Sequence, residues 1–211
     1  MPNLLTSMRL VLAIIFFGML SWYQYEGRGD PTFLNIAFLV YAVALVTDFL
    51  DGYLARKYDL ETPFGRVVDP FVDKVLVLGS FLFFAGKNFI IPDHDATSPY
   101  VVKTITGVAP FMVVILLSRE LLVTSLRGMA ESTGQNFGAQ LSGKLKMGFQ
   151  SATIVVILAY VNYLGWLVRH DLENGARWFR DGCIWFTIVI TIFSGILYLQ
   201  RAVAMYRQIE S

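Results

Sequence analysis

Between Thr47 and Val75 the chain reads TDFLDGYLARKYDLETPFGRVVDPFVDKV, and this stretch constrains the fold more than any other. It places Asp48, Asp51, Asp69 and Asp73 between apolar runs long enough to enter a bilayer, where ionised carboxylates are costly and mark function as a rule. Asp48 and Asp51 are three apart and Asp69 and Asp73 four apart, so on two helices each pair shares a face and the two faces can meet. Four converging carboxylates repel one another. Either some are protonated or a cation lies among them, and hard divalent ions with oxygen ligands suit such a donor set. Gly52 and Ala55 beside the first pair and Gly65 before the second leave room for a ligand to approach the backbone.

The surroundings are those of a polytopic membrane protein: 55% hydrophobic residues, a mean hydropathy of +0.57 and 16% charged residues. One all-α membrane domain over residues 1–211 is expected, since no repeat, low-complexity tract or linker divides the chain. A single cysteine, Cys183, excludes an internal disulfide and reads as a packed thiol. The N-terminal apolar run lacks a charged leader and a clear cleavage site, so it reads as a retained helix.

Six spanning helices are predicted. The first follows Pro2–Arg9 through Leu10–Tyr23; the second runs from Phe33 through Thr47 and on to Arg56; the third carries Asp69 and Asp73 near its start, with Pro70 in its first turn. The fourth is expected over Val101–Ala130 with a kink at Pro110, the fifth over Met147–Val168, and the sixth over Gly182–Gln200 after a charged loop from Arg169 to Asp181. Both termini then share a side. That side holds 11 basic residues (Arg9, Arg56, Lys57, Arg66, Lys74, Arg119, Arg127, Lys144, Lys146, Arg201, Arg207) against 6 opposite (Arg28, Lys87, Lys103, Arg169, Arg177, Arg180), which predicts cytoplasmic termini and a cytoplasm-facing site in the cell membrane.

A second group of cations lies on that side. Arg119 and Arg127, eight apart, share a face of the fourth helix, and Lys144 and Lys146 open the fifth; together they suit a phosphate. Arg119 with Glu120 reads alternatively as a structural ion pair. His94 and His170 fall in loops of the opposite side and read as solvated, while Phe81, Phe83 and Phe84 read as packing or lipid-facing residues.

The pattern Asp48-x2-Asp51-Gly52-x2-Ala55-Arg56-x8-Gly65-x3-Asp69-x3-Asp73 resembles the signature of the CDP-alcohol phosphotransferase family at every position. The segments PNLLTSMRL, SRELLVTSLRGMAE and SGKLKM are similar to its bacterial phosphatidylglycerophosphate synthase branch; Met147 departs from the Thr common there. The resemblance implies two Mg²⁺ or Mn²⁺ ions on Asp48, Asp51, Asp69 and Asp73, with Asp73 also the general base. It implies CDP contacts from Asp51, Gly52, Ala55, Arg56 and Gly65, and glycerol 3-phosphate contacts from Thr6, Arg9, Arg119, Arg127, Lys144 and Lys146. CDP-diacylglycerol, glycerol 3-phosphate and membrane lipids are the expected partners, with a homodimer whose interface no sequence signal selects, the third and fourth helices being one candidate, and no nucleic acid. Two other readings stay open: a related transferase with serine, inositol phosphate or phosphatidylglycerol as acceptor, and a divalent-cation transporter, against which the acid-free fifth and sixth helices count.

Overall fold

The computed structural model describes residues 2–25, 30–58, 63–91, 104–132 and 141–210, and the side chains within them except 2–6, 31, 48–58, 63–67, 69, 131, 141–142, 144 and 205–210. These residues form six α-helices: α1 Pro2–Trp22, α2 Pro31–Tyr58, α3 Pro63–Phe84, α4 Pro110–Ser132, α5 Leu141–Arg169 and α6 Glu173–Glu210. No strand occurs among them, only an isolated bridge between Ile90 and Thr104. Helix α3 is central, packing on α1, α4 and α5, while α1 lies on α2, α2 on α5, and α6 on α4 and α5.

The inward faces follow helical spacing. Arg9, Ala13, Phe16 and Leu20 are buried on α1, Leu34, Ala37, Tyr41 and Ala44 on α2, and Val72, Leu76, Ser80 and Phe84 on α3. Aromatic rings join these faces. Phe16 meets Tyr41 at 5.2 Å between centroids, and Phe17 stacks on Phe83 at 5.4 Å across Gly79, where any Cβ would lie 2.4 Å from the Phe17 ring. Phe81 and Phe84 are buried and Phe83 stacks on Phe17, so of the two roles open to these phenylalanines, packing or facing lipid, all three pack.

The outer surface is apolar on every helix. Ile14, Leu39, Leu82, Leu121, Phe149 and Phe193, one from each helix in turn, are all exposed. Two segments, Leu145–Arg169 and Glu173–Ala204, are long and apolar enough to cross a bilayer; Ser7–Trp22 and Thr32–Thr47 are shorter apolar stretches.

Three sequence expectations are corrected. Helix α4 starts at Pro110, so this proline opens the helix where its missing N–H costs nothing, and produces no kink. Ahead of it, residues 104–109 form a turn with Gly107 at φ 74°. Pro70 lies inside α3, seven residues after its first, and is not a first-turn residue. Helix α6 starts at Glu173, so the expected charged loop from Arg169 to Asp181 shrinks to a turn at His170–Leu172, with Asp171 at φ 54°. Charged side chains do not interrupt backbone i→i−4 bonding; they only take the helix out of the apolar layer. At 38 residues α6 extends about 57 Å, well beyond the thickness of a bilayer core.

Candidate active site

Chain reversals collect at one end of the bundle. Tyr25 N–H donates to Asn88 O at 3.0 Å, the Asn88 amide donates to Leu20 O and Ser21 O at the end of α1, and Ile105 N–H donates to Phe89 O at 2.8 Å. Arg180 of α6 closes this end: Nη1 donates to Ile105 O at 2.6 Å, Nε and Nη2 to Asp181 Oδ1 at 2.8 and 2.6 Å, and the guanidinium lies 4.3 Å from the Tyr160 ring centroid. His170 is exposed there; His94 lies outside the described residues.

The other end gathers the candidate site. Arg9, 1% exposed, enters on the inward face of α1 and donates from Nη1 to Asp73 Oδ1 on α3 at 3.1 Å. One residue on, Lys74 Nζ donates to Thr124 Oγ1 at 2.9 Å, tying α3 to α4. On α4, Arg119 Nη1 donates to Glu120 Oε1 at 2.8 Å, and the same oxygen accepts from Lys146 Nζ of α5, a lysine buried to 2%. Arg119 and its neighbouring acid thus do form an ion pair, but one shared with Lys146 inside the cation group.

Helix α6 holds the two arginines in place. Arg119 Nη2 donates to Ser194 Oγ at 2.6 Å, and Arg127 Nη2 to Tyr198 Oη at 2.9 Å. Both guanidiniums also lie against the buried Tyr198 ring, at 5.3 and 5.4 Å from its centroid. Lys74, Arg119, Arg127 and Lys146 interact electrostatically as one group. Among the described residues, the Nε–H groups of Arg119 and Arg127 are buried and donate to nothing. A buried donor without a partner costs about 1–3 kcal/mol, and Arg127 has no carboxylate partner among the described residues. Chemically, this end can hold a multiply charged anion beside a carboxylate, Asp73, that is oriented by Arg9.

The side expected to bind metal is described by backbone only, apart from Asp73. Residues 48, 51, 52, 55 and 56 are helical in α2, and 65 and 69 in α3. Continuing the inward 34, 37, 41, 44 spacing along α2 puts positions 48, 51 and 55 in register with the core face. The side chains of Thr6, Asp48, Asp51, Arg56, Asp69 and Lys144 lie outside the described residues, as do those of Ala55 and the surroundings of Gly52 and Gly65.

The model of the CDP-alcohol phosphatidyltransferase family matches residues 1–193. The chain belongs to that family. Similar CDP-alcohol phosphatidyltransferases include proteins named CDP-diacylglycerol–glycerol-3-phosphate 3-phosphatidyltransferase from Bacillus subtilis, 30% identical over 95% of this chain and 94% of its own length, and from Haemophilus influenzae, 30% identical over 95% and 92%. A third of that name, from Cereibacter sphaeroides, is 24% identical over 95% and 94%.

Sequence reasoning missed Lys74, Glu120's second partner, Ser194 and Tyr198. The last two lie just beyond the family match, in a run read only as an apolar span. A signal did exist: within Gly182–Gln200, Tyr198 follows Ser194 by four residues and so marks one polar stripe on the helix.

Proposed function

We propose that this protein transfers the phosphatidyl group of CDP-diacylglycerol to glycerol 3-phosphate, giving phosphatidylglycerophosphate and CMP. The observation that carries this reading is the surplus of cations next to Asp73. Among the described residues, the one carboxylate paired within the group Lys74, Arg119, Arg127 and Lys146 is Glu120, held by Arg119 and Lys146, in a family whose chemistry needs an acceptor hydroxyl placed at a phosphate. The names of the three relatives, which span nearly the whole chain, agree with it.

The cation group would grip the phosphate of glycerol 3-phosphate, Arg119 and Arg127 through planar guanidinium donors and Lys146 as a point charge. Held there, the acceptor presents its hydroxyl toward Asp73, which takes the proton. The acceptor oxygen bonds to the phosphorus that bears the diacylglycerol, the bond from that phosphorus to the bridging oxygen breaks, and CMP leaves with the electron pair. Arg9 fixes the Asp73 carboxylate through this step. Asp48, Asp51, Asp69 and Asp73 would hold two Mg²⁺ or Mn²⁺ ions, hard cations that suit carboxylate oxygens and would neutralise charge on the phosphate oxygens. Arg56, Gly52, Ala55 and Gly65 are assigned to the CDP moiety.

The apolar exterior of all six helices supports a six-span arrangement in the cell membrane. The basic excess puts the termini and the site on the cytoplasmic side, and a homodimer is the proposed assembly. Purified protein given labelled glycerol 3-phosphate, CDP-diacylglycerol and Mg²⁺ should yield a labelled lipid and CMP, with chelator stopping the reaction. Incorporation of labelled serine or another alcohol in place of glycerol 3-phosphate would overturn the acceptor assignment. Cation flux into sealed vesicles without any transfer would overturn the enzyme reading.

A further inference from the structure

Helices α5 and α6 meet through polar and small residues that recur about once per turn. Thr153 Oγ1 and Thr187 Oγ1 are 2.8 Å apart, and Gln150 Nε2 donates to Thr191 Oγ1 at 3.5 Å. One turn nearer the site, Lys146 and Ser194 meet the same Arg119–Glu120 pair. These contacts fix the register of the two helices. The last of them joins Gly143 to Tyr198. A Cβ at Gly143 would lie 3.2 Å from the Tyr198 hydroxyl oxygen, inside the usual contact distance, and that oxygen accepts from Arg127 Nη2 at 2.9 Å. Gly143 is an ordinary helical residue of α5, where glycine is a poor choice for the backbone, so what it supplies is space.

We propose that Gly143 is a positioning residue of the acceptor site: the space it leaves seats the Tyr198 hydroxyl, and through that hydroxyl the Arg127 guanidinium, where a phosphate is held. Tyr198 has no room to step back. Its ring is fully buried, packed with Val123, Leu126 and Ala202, and it lies against both arginines. A methyl group at position 143 therefore pushes the hydroxyl by a few tenths of an ångström, enough to stretch or bend the bond from Arg127. Arg127 meets no carboxylate among the described residues, so the Tyr198 hydroxyl is the partner that aims it. This role rests on the acceptor reading above and adds a residue that touches neither substrate nor charge yet sets where the charge lies.

The test sets two glycines of one helix against each other. Gly143→Ala should raise KM for glycerol 3-phosphate by about three- to tenfold, the scale of one weakened hydrogen bond, and leave KM for CDP-diacylglycerol within about twofold. The affinity for inorganic phosphate, read without turnover from its protection of the purified protein against melting, should fall by the same factor. Gly148→Ala puts its methyl where nothing lies within 4 Å and should move none of these values. The deciding measurement adds Tyr198→Phe. With the hydroxyl gone the methyl has nothing to push, so Gly143→Ala should change the KM of the Tyr198→Phe protein by less than about 1.5-fold and should raise its melting temperature, alanine being the better helix former. Equal losses in the wild-type and Tyr198→Phe backgrounds would show that the effect does not pass through the hydroxyl and would overturn the proposal, as would an unchanged KM and phosphate affinity in Gly143→Ala. If Gly143→Ala does not fold by itself, the double variant should; failure of both to fold makes Gly143 a packing residue of the whole bundle and also overturns it. A protein whose phosphate affinity depends on Gly143 in this way, yet which transfers lipid to a different acceptor, would remove the proposed function and leave the positioning role standing.

Discussion

The two ends of the bundle each bury arginine, and they use it in opposite ways. At the end of the chain reversals, Arg180 is spent: a carbonyl, a carboxylate and a ring face take up its donors and its π-surface. At the other end Arg119 is shared between Glu120 and Ser194, while Arg127, steered by Tyr198, meets no carboxylate among the described residues and keeps a buried Nε–H unused. A satisfied cation fastens the fold. A positioned but unneutralised one stores binding capacity at some cost in stability, which a ligand can recover. The comparison therefore marks one end as a candidate site by how far its buried arginine is matched by carboxylate, on a criterion that involves no motif.

The largest expected effect falls at the functional end. Asp73→Asn should lower the transfer rate by about 10² to 10⁴-fold, the usual contribution of a general base, while CDP-lipid still binds; losing the charge beside buried Arg9 should also lower the melting temperature. A loss below tenfold would strip Asp73 of that role. Arg127→Ala should raise KM for glycerol 3-phosphate by about tenfold or more, the scale of one lost charge-assisted hydrogen bond, and leave KM for CDP-diacylglycerol within twofold; initial rates over both substrates give the answer.

Arg180→Ala reverses the pattern. It should leave both KM values in place but cost about 2 kcal/mol of stability, because Ile105 O and the Tyr160 face lose a buried partner. Thermal melting reads the loss, and a shifted KM for either substrate would erase the division between the ends. Tyr198→Phe keeps the ring and removes only the hydroxyl that aims Arg127, so KM for glycerol 3-phosphate should rise by about three- to tenfold. Tyr198→Leu, which also removes the cation–π face, should exceed it. Gly107→Ala acts on stability alone: φ of 74° and a Cβ position 2.7 Å from Asp181 Oδ1 predict a loss of about 1 kcal/mol in melting experiments, with kinetics unchanged.

Much of this was legible along the chain. Periodicity and apolar runs located six helices because helical spacing and burial are local properties, written every three or four residues. The aspartate signature pointed to the family that the chain belongs to, and the eight-residue spacing of Arg119 and Arg127 put both on one face of α4, where the Tyr198 ring now meets both. Errors came where polarity stood in for structure. The charged segment at 173–181 was read as a loop, yet its backbone bonds to itself as any helix does, and Arg180 turns inward from it.

What the sequence determined by itself is the set of parts: four carboxylates at helical spacing, a basic excess on one side, and apolar faces that must be covered by one another or by lipid. Only the tertiary structure decided which parts meet. Arg9 reaches Asp73 across 64 residues, Lys146 finds Glu120 across 26, and Ser194 and Tyr198 reach Arg119 and Arg127 across 75 and 71. None of these pairings is implied by spacing, because a helix fixes the direction of its own side chains but not the neighbour it packs against. That choice is set by how all six apolar faces fit together, and with it the balance of charge that makes one end a scaffold and the other a site.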